Sequence, residues 1–195
     1  MNNFPDYNII LASNSPRRKD LLVGLEMKFE VKVLPDIDES FPMQMPKRDV
    51  AAYIAIKKGV SHSHLLKEND LLITADTTVL LENEIYGKPV DLDDAKRMLH
   101  NLSGKTHEVI TGVCLTTQQK QHSFSVSSQV RFASLDESEI NHYVEKYRPL
   151  DKAGAYGIQE WIGYIAVEHI SGSYFNIMGL PVQRLYKELR HFQTL

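Results

Sequence analysis

The chain has 195 residues, 43% hydrophobic and 24% charged, with a net charge of -3. This is the balance of a soluble globular protein, one large domain or two small lobes, and it argues against a general nucleic-acid-binding surface. The single cysteine, Cys114, has no partner for an internal disulfide, and no apolar run approaches membrane-spanning length. The expected setting is therefore reducing and cytoplasmic, with no nucleic acid and no membrane as partners. Met1 to Tyr7 is mostly polar and the apolar run after it is only Ile9 to Ala12, so no leader is read there.

Ile9 to Ala12 reads as a buried strand that runs into Ser13-Asn14-Ser15-Pro16-Arg17-Arg18. Ser13 or Ser15 can cap a helix whose first position is Pro16. Two arginines in a first turn oppose the helix dipole, unless hydroxyls, free N–H groups and cations converge there on an anion. An ordinary capped helix with solvated arginines fits the stretch equally well. The helix continues through Leu21, Leu22 and Leu25, and Lys28 to Leu34 alternates as a half-buried strand. Pro35 to Glu39 is an acidic exit loop, able to hold a metal or simply solvated. Asp49 is expected to cap a helix from about Val50 to Leu66, with Val50, Ile54 and Val60, and Ala51 and Ala55 beside them, at helical spacing, and His62 and His64 solvated.

Leu71 to Ala75 is a short apolar run ending in Asp76-Thr77-Thr78, where α/β proteins place reactive groups. A hairpin through Glu82 to Glu84 follows, then Gly87-Lys88-Pro89. Asp91 with Asp94 has the form of a capping box for a helix to Leu102, stopped by Ser103-Gly104. His107 to Leu115 and His122 to Phe132 read as paired strands, and Ser134 with Glu137 as the cap of a helix to Lys146. Asp151 to Gln159 is crowded with glycine and alanine, as where backbone passes close to something, and Gln159 offers donors and an acceptor suited to a base edge. Tyr164 to Val167 reads as a strand, Ser171 to Asn176 as a loop, and Pro181 to Phe192 as the last helix.

Taken in order, Leu11 to Arg18, Ala75-Asp76-Thr77, Gly87-Lys88-Pro89, Ser103 to Val113, Asp151 to Gln159 and Gly172 to Pro181 resemble the Maf family, the septum-formation-inhibitor-like nucleoside triphosphate pyrophosphatases. The resemblance runs nearly end to end. It implies an α/β fold of the Maf/ITPase-like kind, one domain over 1–195, with a mixed central sheet flanked by helices and two lobes with a cleft between them. It implies hydrolysis of a nucleoside triphosphate to the monophosphate and pyrophosphate, a divalent metal cation (Mg or Mn), and a possible homodimer. By similarity Asp76 is the catalytic carboxylate; Ser13, Arg17, Arg18, Lys58, Thr77, Lys88 and Gln159 bind substrate; Glu39 and Asp76 hold the metal. The Asp76-Thr77 pair resembles the branch acting on dTTP and UTP, whereas the branch acting on 7-methyl-GTP has glutamine where Thr77 stands. Glu160 departs from the family, which often has glycine there.

The residue types suit that chemistry. Pyrophosphate leaves with most of the triphosphate's charge, and Arg17, Arg18, Lys58 and Lys88 supply preorganised cations. No Ser-His or Cys-His pair argues for a covalent intermediate, so water is the expected nucleophile, held by Asp76 or Glu39. Hard carboxylate oxygens favour Mg²⁺ or Mn²⁺ over zinc. Three other readings stay open at this stage: a pyrophosphatase for purine or modified nucleotides, a regulator of cell division that binds nucleotide without turnover, and a nucleotidyltransferase, which would require an acceptor.

Overall fold

A computed structural model describes residues 7–192; Met1 to Asp6, part of the stretch read for a leader, and Gln193 to Leu195 lie outside the described residues. The strands form a mixed seven-stranded sheet, ordered β2 (Glu30–Val31), β1 (Asn8–Leu11), β3 (Asp70–Leu81), β5 (Thr106–Thr116), β6 (Gln121–Phe132) and β7 (Val167–Ser171), with β4 (Glu84–Tyr86) paired to β3, and helices flank it. Two compact units divide the chain. The first holds the residues up to Asp76, Thr111–Val126 and those from Gly179 onward; the second holds Thr77–Ile110 and Ser127–Met178. Three strands, β3 (Asp70–Leu81), β5 (Thr106–Thr116) and β6 (Gln121–Phe132), each give residues to both. No described helix is long and apolar enough to cross a membrane.

In the first unit, β1 (Asn8–Leu11) pairs in parallel with β3, Ile9 opposite Leu71 and Leu11 opposite Ile73. Ser15 caps α1 (Pro16–Gly24), its side chain accepting from the Arg18 N–H, with Pro16 at the first position. The half-buried strand expected over Lys28 to Leu34 shrinks to β2 (Glu30–Val31) on the sheet edge, paired with β1, and both residues are exposed. Alternation shows that a face could be buried, but an edge position leaves this one in water.

Helix α2 (Val50–His62) is shorter than expected, and a 3-10 turn, Ser63–Leu65, follows it. Asp49 makes no side-chain cap, because its own backbone is already helical at the end of the 3-10 turn Lys47–Asp49. Val50, Ala51, Ile54 and Ala55 are buried as their spacing predicts, but Val60 is 58% exposed and Gly59 takes the inward place beside it. The small residues of that face, Ala51, Ala55 and Gly59, let α2 lie almost flush on the strands. A Cβ on Gly112 of β5 would sit 2.3 Å from the Ala52 nitrogen, and Thr74 Oγ1 of β3 donates to the Ala55 carbonyl at 2.6 Å. His62 is buried, not solvated: its Nδ1 lies 2.7 Å from the Lys58 carbonyl, and its Nε2 accepts the Leu34 N–H at 3.1 Å. The ring is thus the neutral Nδ1–H tautomer, which ties the start of the acidic loop to α2. Helix α7 (Val182–His191) completes this unit, burying Val182, Leu185 and Leu189.

The second unit has its own core around Leu99, Phe132, Tyr143 and Ile162. The hairpin forms as expected, β4 (Glu84–Tyr86) antiparallel to β3 with Leu80 opposite Ile85. Helix α3 (Leu92–Leu102) buries Ala95, Met98, Leu99 and Leu102, as its spacing dictates. Asp91 caps it by accepting the Asp94 N–H, while the Asp94 carboxylate reaches past Asp91 to the Val90 N–H, so only half of a capping box forms. Helix α4 (Glu137–Tyr147) is capped by Asp136 with Glu139, not by Ser134 with Glu137. Both pairs satisfy the same three-residue rule, and the chain uses the later one. Tyr164 to Ala166, expected in a strand, close the short helix α5 (Trp161–Ala166), and β7 (Val167–Ser171) begins only after it. The loop expected at Ser171 to Asn176 contains a single helical turn, α6 (Tyr174–Ile177), capped by Ser173.

Candidate active site

Six of the residues singled out in the sequence, Ser13, Arg17, Arg18, Glu39, Lys58 and Asp76, lie around the end of β1, α2 and mid-β3, all in the first unit. Asp76 lies within β3 rather than at its end, because the strand continues to Leu81. Its Oδ1 accepts from Lys58 Nζ at 2.8 Å, and the same Nζ lies 2.9 Å from Glu39 Oε1. Lys58 and Asp76 are nearly buried, with 13% and 14% side-chain exposure, whereas Glu39 is open at 46%. The flush packing of α2 at Ala51, Ala55 and Gly59 is what brings the Lys58 stem within reach of β3. Lys57, one residue earlier, points away to Asp38 Oδ2 at 2.7 Å, and holds the acidic loop to the helix. That contact and the Ser40 backbone bond keep the Asp38 carboxyl well below the usual range.

Arg18 is the second anchor. Its Nε donates to the Gly179 carbonyl at 2.8 Å, and its Nη1 to the Ala75 carbonyl at 3.0 Å and to Ser13 Oγ at 3.4 Å. Ser13, itself buried, also accepts the Ser15 N–H at 3.2 Å. The turn after β1, the residue before Asp76 and the approach to α7 are thereby fixed by one guanidinium. Burial pulls the Arg18 value down; the Asp76 carboxylate opposes that, the Arg17 cation adds to it, and Glu39 opposes it again. An arginine stays charged through such a shift. Arg17, Arg18 and Lys58 against Asp76 and Glu39 leave a surplus of one positive charge in a site that also offers the N-terminus of α1.

The second unit holds the other three candidates. Thr77 follows Asp76 on β3 and is half-buried. Lys88, after the β4 hairpin, is exposed and makes no ion pair with another described residue. Gln159 is half-buried, and its Oε1 is shut away from water with no hydrogen-bond partner among the described residues. The turn that carries it is cinched by Tyr143, Lys152 and Glu160. Of these the sequence marks Glu160, as a departure from the family beside Gln159; Tyr143 carries no such signal, and Lys152 only that of the charged pair Asp151-Lys152.

The divalent cation can be tested against the donors present. No cluster of three or more His, Cys, Asp or Glu suited to a metal exists among the described residues. Two carboxylates nonetheless converge, Asp76 Oδ1 and Glu39 Oε1 approaching one point, now marked by Lys58 Nζ. One or two carboxylates completed by phosphate oxygens and water is the way Mg²⁺ is usually held, so the donor set fits that ion.

A mixed sheet with a buried carboxylate-lysine pair and a braced arginine at a helix N-terminus defines an α/β protein built to handle a polyanion. Residues 8–192 match the family described as Maf-like protein, and the chain belongs to that family. It is 56% identical over 190 residues to a protein of Phocaeicola vulgatus named dTTP/UTP pyrophosphatase, covering 97% of this chain and 98% of that one. A protein of Parabacteroides distasonis with the same name is 53% identical over 192 residues, 98% of this chain and 100% of the relative. Among solved structures, the Staphylococcus aureus Ham1 protein aligns with a TM-score of 0.52 at 17% identity over 93% of this chain and 99% of that one, a likeness of fold.

Proposed function

We propose that this protein is a nucleoside triphosphate pyrophosphatase that hydrolyses dTTP and UTP to the monophosphate and pyrophosphate. The substrates come from the names borne by its near-full-length relatives. The observation that carries the chemistry is the Lys58 ammonium between Asp76 and Glu39, beside the braced Arg18.

In this reading Arg17 and Arg18 take the phosphates, helped by Ser13 and the α1 N-terminus, and Arg18 is already locked in place by two carbonyls. Cations that need no rearrangement stabilise charge moving onto the leaving pyrophosphate, and removing one such donor costs roughly a hundredfold in rate. Lys58 orients the Asp76 carboxylate, and Asp76 orients the attacking water and takes its proton. Asp76 and Glu39 would hold a Mg²⁺ or Mn²⁺ ion, which when bound would lower the pKa of water and neutralise phosphate charge. Lys88 and Gln159 are assigned to substrate recognition, with Thr77 marking the dTTP/UTP branch. No observation favours a regulator that binds without turnover, since a sensor has no use for a nearly buried carboxylate-lysine pair. The test is pyrophosphate release from UTP, dTTP, CTP, GTP and 7-methyl-GTP with and without Mg²⁺ or Mn²⁺. Metal-dependent release from UTP and dTTP is expected; release from 7-methyl-GTP alone, or from none, would overturn the reading.

A further inference from the structure

Gln159 does not sit on an open loop. It is the third residue of a turn, Gly157-Ile158-Gln159-Glu160, closed by the Glu160 N–H on the Gly157 carbonyl at 2.9 Å. Both ends of that turn converge on one phenol. The hydroxyl of Tyr143, a fully buried residue of α4, accepts the Gly157 N–H at 3.0 Å and donates to Glu160 Oε2. The other carboxylate oxygen, Oε1, pairs at 3.1 Å with the ammonium of Lys152, which also reaches Asp151 Oδ1 at 2.7 Å. The Lys152 side chain is 9% exposed and that of Glu160 21%, so this is an interior ion pair and not surface decoration. The two charged side chains close over position 157, where a Cβ would lie 2.8 Å from Glu160 Cδ and 3.0 Å from Lys152 Cε. On the far side, a Cβ on Gly163 of α5 would lie 1.8 Å from the Ile158 carbonyl oxygen, so the helix seals the turn from behind.

Glu160 stands at the N-cap position of α5 yet makes no capping bond, its carboxylate being committed to Tyr143 and Lys152. A carboxylate that forgoes the helix end it is placed to cap is held for another purpose. Its neighbour carries Gln159 Oε1, a buried acceptor with no hydrogen-bond partner among the described residues. A ligand N–H would satisfy it, and the imino N–H of a uracil or thymine ring is such a donor, whereas cytosine has no proton at that ring nitrogen.

We propose that Glu160, with Tyr143 and Lys152, is a positioning residue that holds Gln159 Oε1 pointed at the base, and so sets discrimination between uracil or thymine and cytosine. The inference rests on the pyrophosphatase reading for its substrates but not for its geometry. The clamp works by preorganisation: the turn is closed before the nucleotide arrives, so little ordering remains to be done on binding.

The test uses Glu160→Gln, which keeps the shape and removes the charge, and Tyr143→Phe, which removes the shared hydroxyl; melting curves confirm that each folds. For each variant, kcat and KM are measured with UTP and CTP, and binding of the α,β-imido analogues of UTP and CTP is measured by calorimetry. Loosening the turn should raise KM for UTP and cut the UTP-to-CTP preference by about tenfold, leaving kcat for UTP within roughly threefold, because the misplacement is at the base and not at the phosphorus. Glu160→Asp should restore part of the preference, which a purely structural role would not do. Unchanged preference in both folded variants would overturn the proposal while leaving the pyrophosphatase reading intact. Should the wild type bind the UTP analogue without releasing pyrophosphate from UTP, the enzymatic reading fails, and the analogue affinities alone then decide the positioning role. Equal wild-type affinity for the two analogues would sink it.

Discussion

Replacing Lys58 by methionine removes one ammonium from between two carboxylates and keeps most of the side-chain volume. Asp76, at 14% exposure and 2.8 Å from the nitrogen, would be left with its nearest compensating charge gone. Breaking a fully buried pair costs about 3–5 kcal/mol because the remaining charge stays desolvated. The Glu39 contact adds little, since its partner is 46% exposed. Discounting for the residual exposure of both partners gives roughly 2 kcal/mol, or about 4–8 °C in melting temperature for a chain of this size. The decisive assay is a double-mutant cycle by thermal melting, using Lys58→Met, Asp76→Asn and the pair together. Asp76→Asn removes the charge that Lys58 neutralised, so the double variant should recover most of the loss. Catalysis should fall about a hundredfold or more in each single variant and should not recover in the double one. Additive stability losses would refute the claim that Lys58 is there to hold the carboxylate.

Three further outcomes are expected. Burial pushes His107 down to about 4 from its ordinary 6.5, with its Nε2 on the Tyr156 hydroxyl at 2.8 Å and Nδ1 enclosed without a partner among the described residues. The unfolded chain therefore binds the proton first as pH falls, and stability should drop by about 3 kcal/mol between pH 6.5 and 4. Denaturant titrations should show a clearly flatter pH slope over that window in His107→Phe, whatever the variant's absolute stability. Gly112→Ala would drive a methyl to within 2.4 Å of the Ala51 backbone; overpacking of this kind costs about 1–3 kcal/mol, and the shift of α2 should also weaken turnover by moving Lys58. Arg18→Lys keeps the charge but cannot reach the Gly179 and Ala75 carbonyls together, so nucleotide KM should rise about tenfold; an unchanged KM would show that the fork geometry is dispensable.

Local chemistry was legible in the sequence; what depends on a distant partner was not. Ser15 and Pro16 open α1, and the apolar spacing of α3 orders its buried face, because those choices are made within a turn or two of chain. The polar types of the candidate site each have an ordinary structural use in the sequence; only the fold brings Lys58, Asp76 and Glu39 to one point. His62 was misjudged because its burial depends on an N–H at Leu34, 28 residues earlier. The spacing of Val50, Ala51, Ile54 and Ala55 gives the buried face of α2; Val60 falls outside it because Gly59, which carries no hydrophobic signal of its own, is the residue turned inward there. The cap of α4 was ambiguous because Ser134 and Asp136 each stand three residues before a glutamate. Tyr164 looked like strand because a run of six helical residues is too short to show a period. The clamp on Gln159 was hidden for the same reason as His62: Tyr143 lies 17 residues from Glu160, and only folding brings the phenol to the turn.

On the proposed reading, the water held by Asp76 attacks the α-phosphorus of the nucleoside triphosphate and pyrophosphate leaves. Hydrolysis of UTP in ¹⁸O-labelled water, followed by mass analysis of both products, tests it most directly. One labelled oxygen in UMP and none in pyrophosphate is the expected result, with the reaction nearly abolished in Asp76→Asn. Label in pyrophosphate, or full activity without the Asp76 carboxylate, would contradict the account.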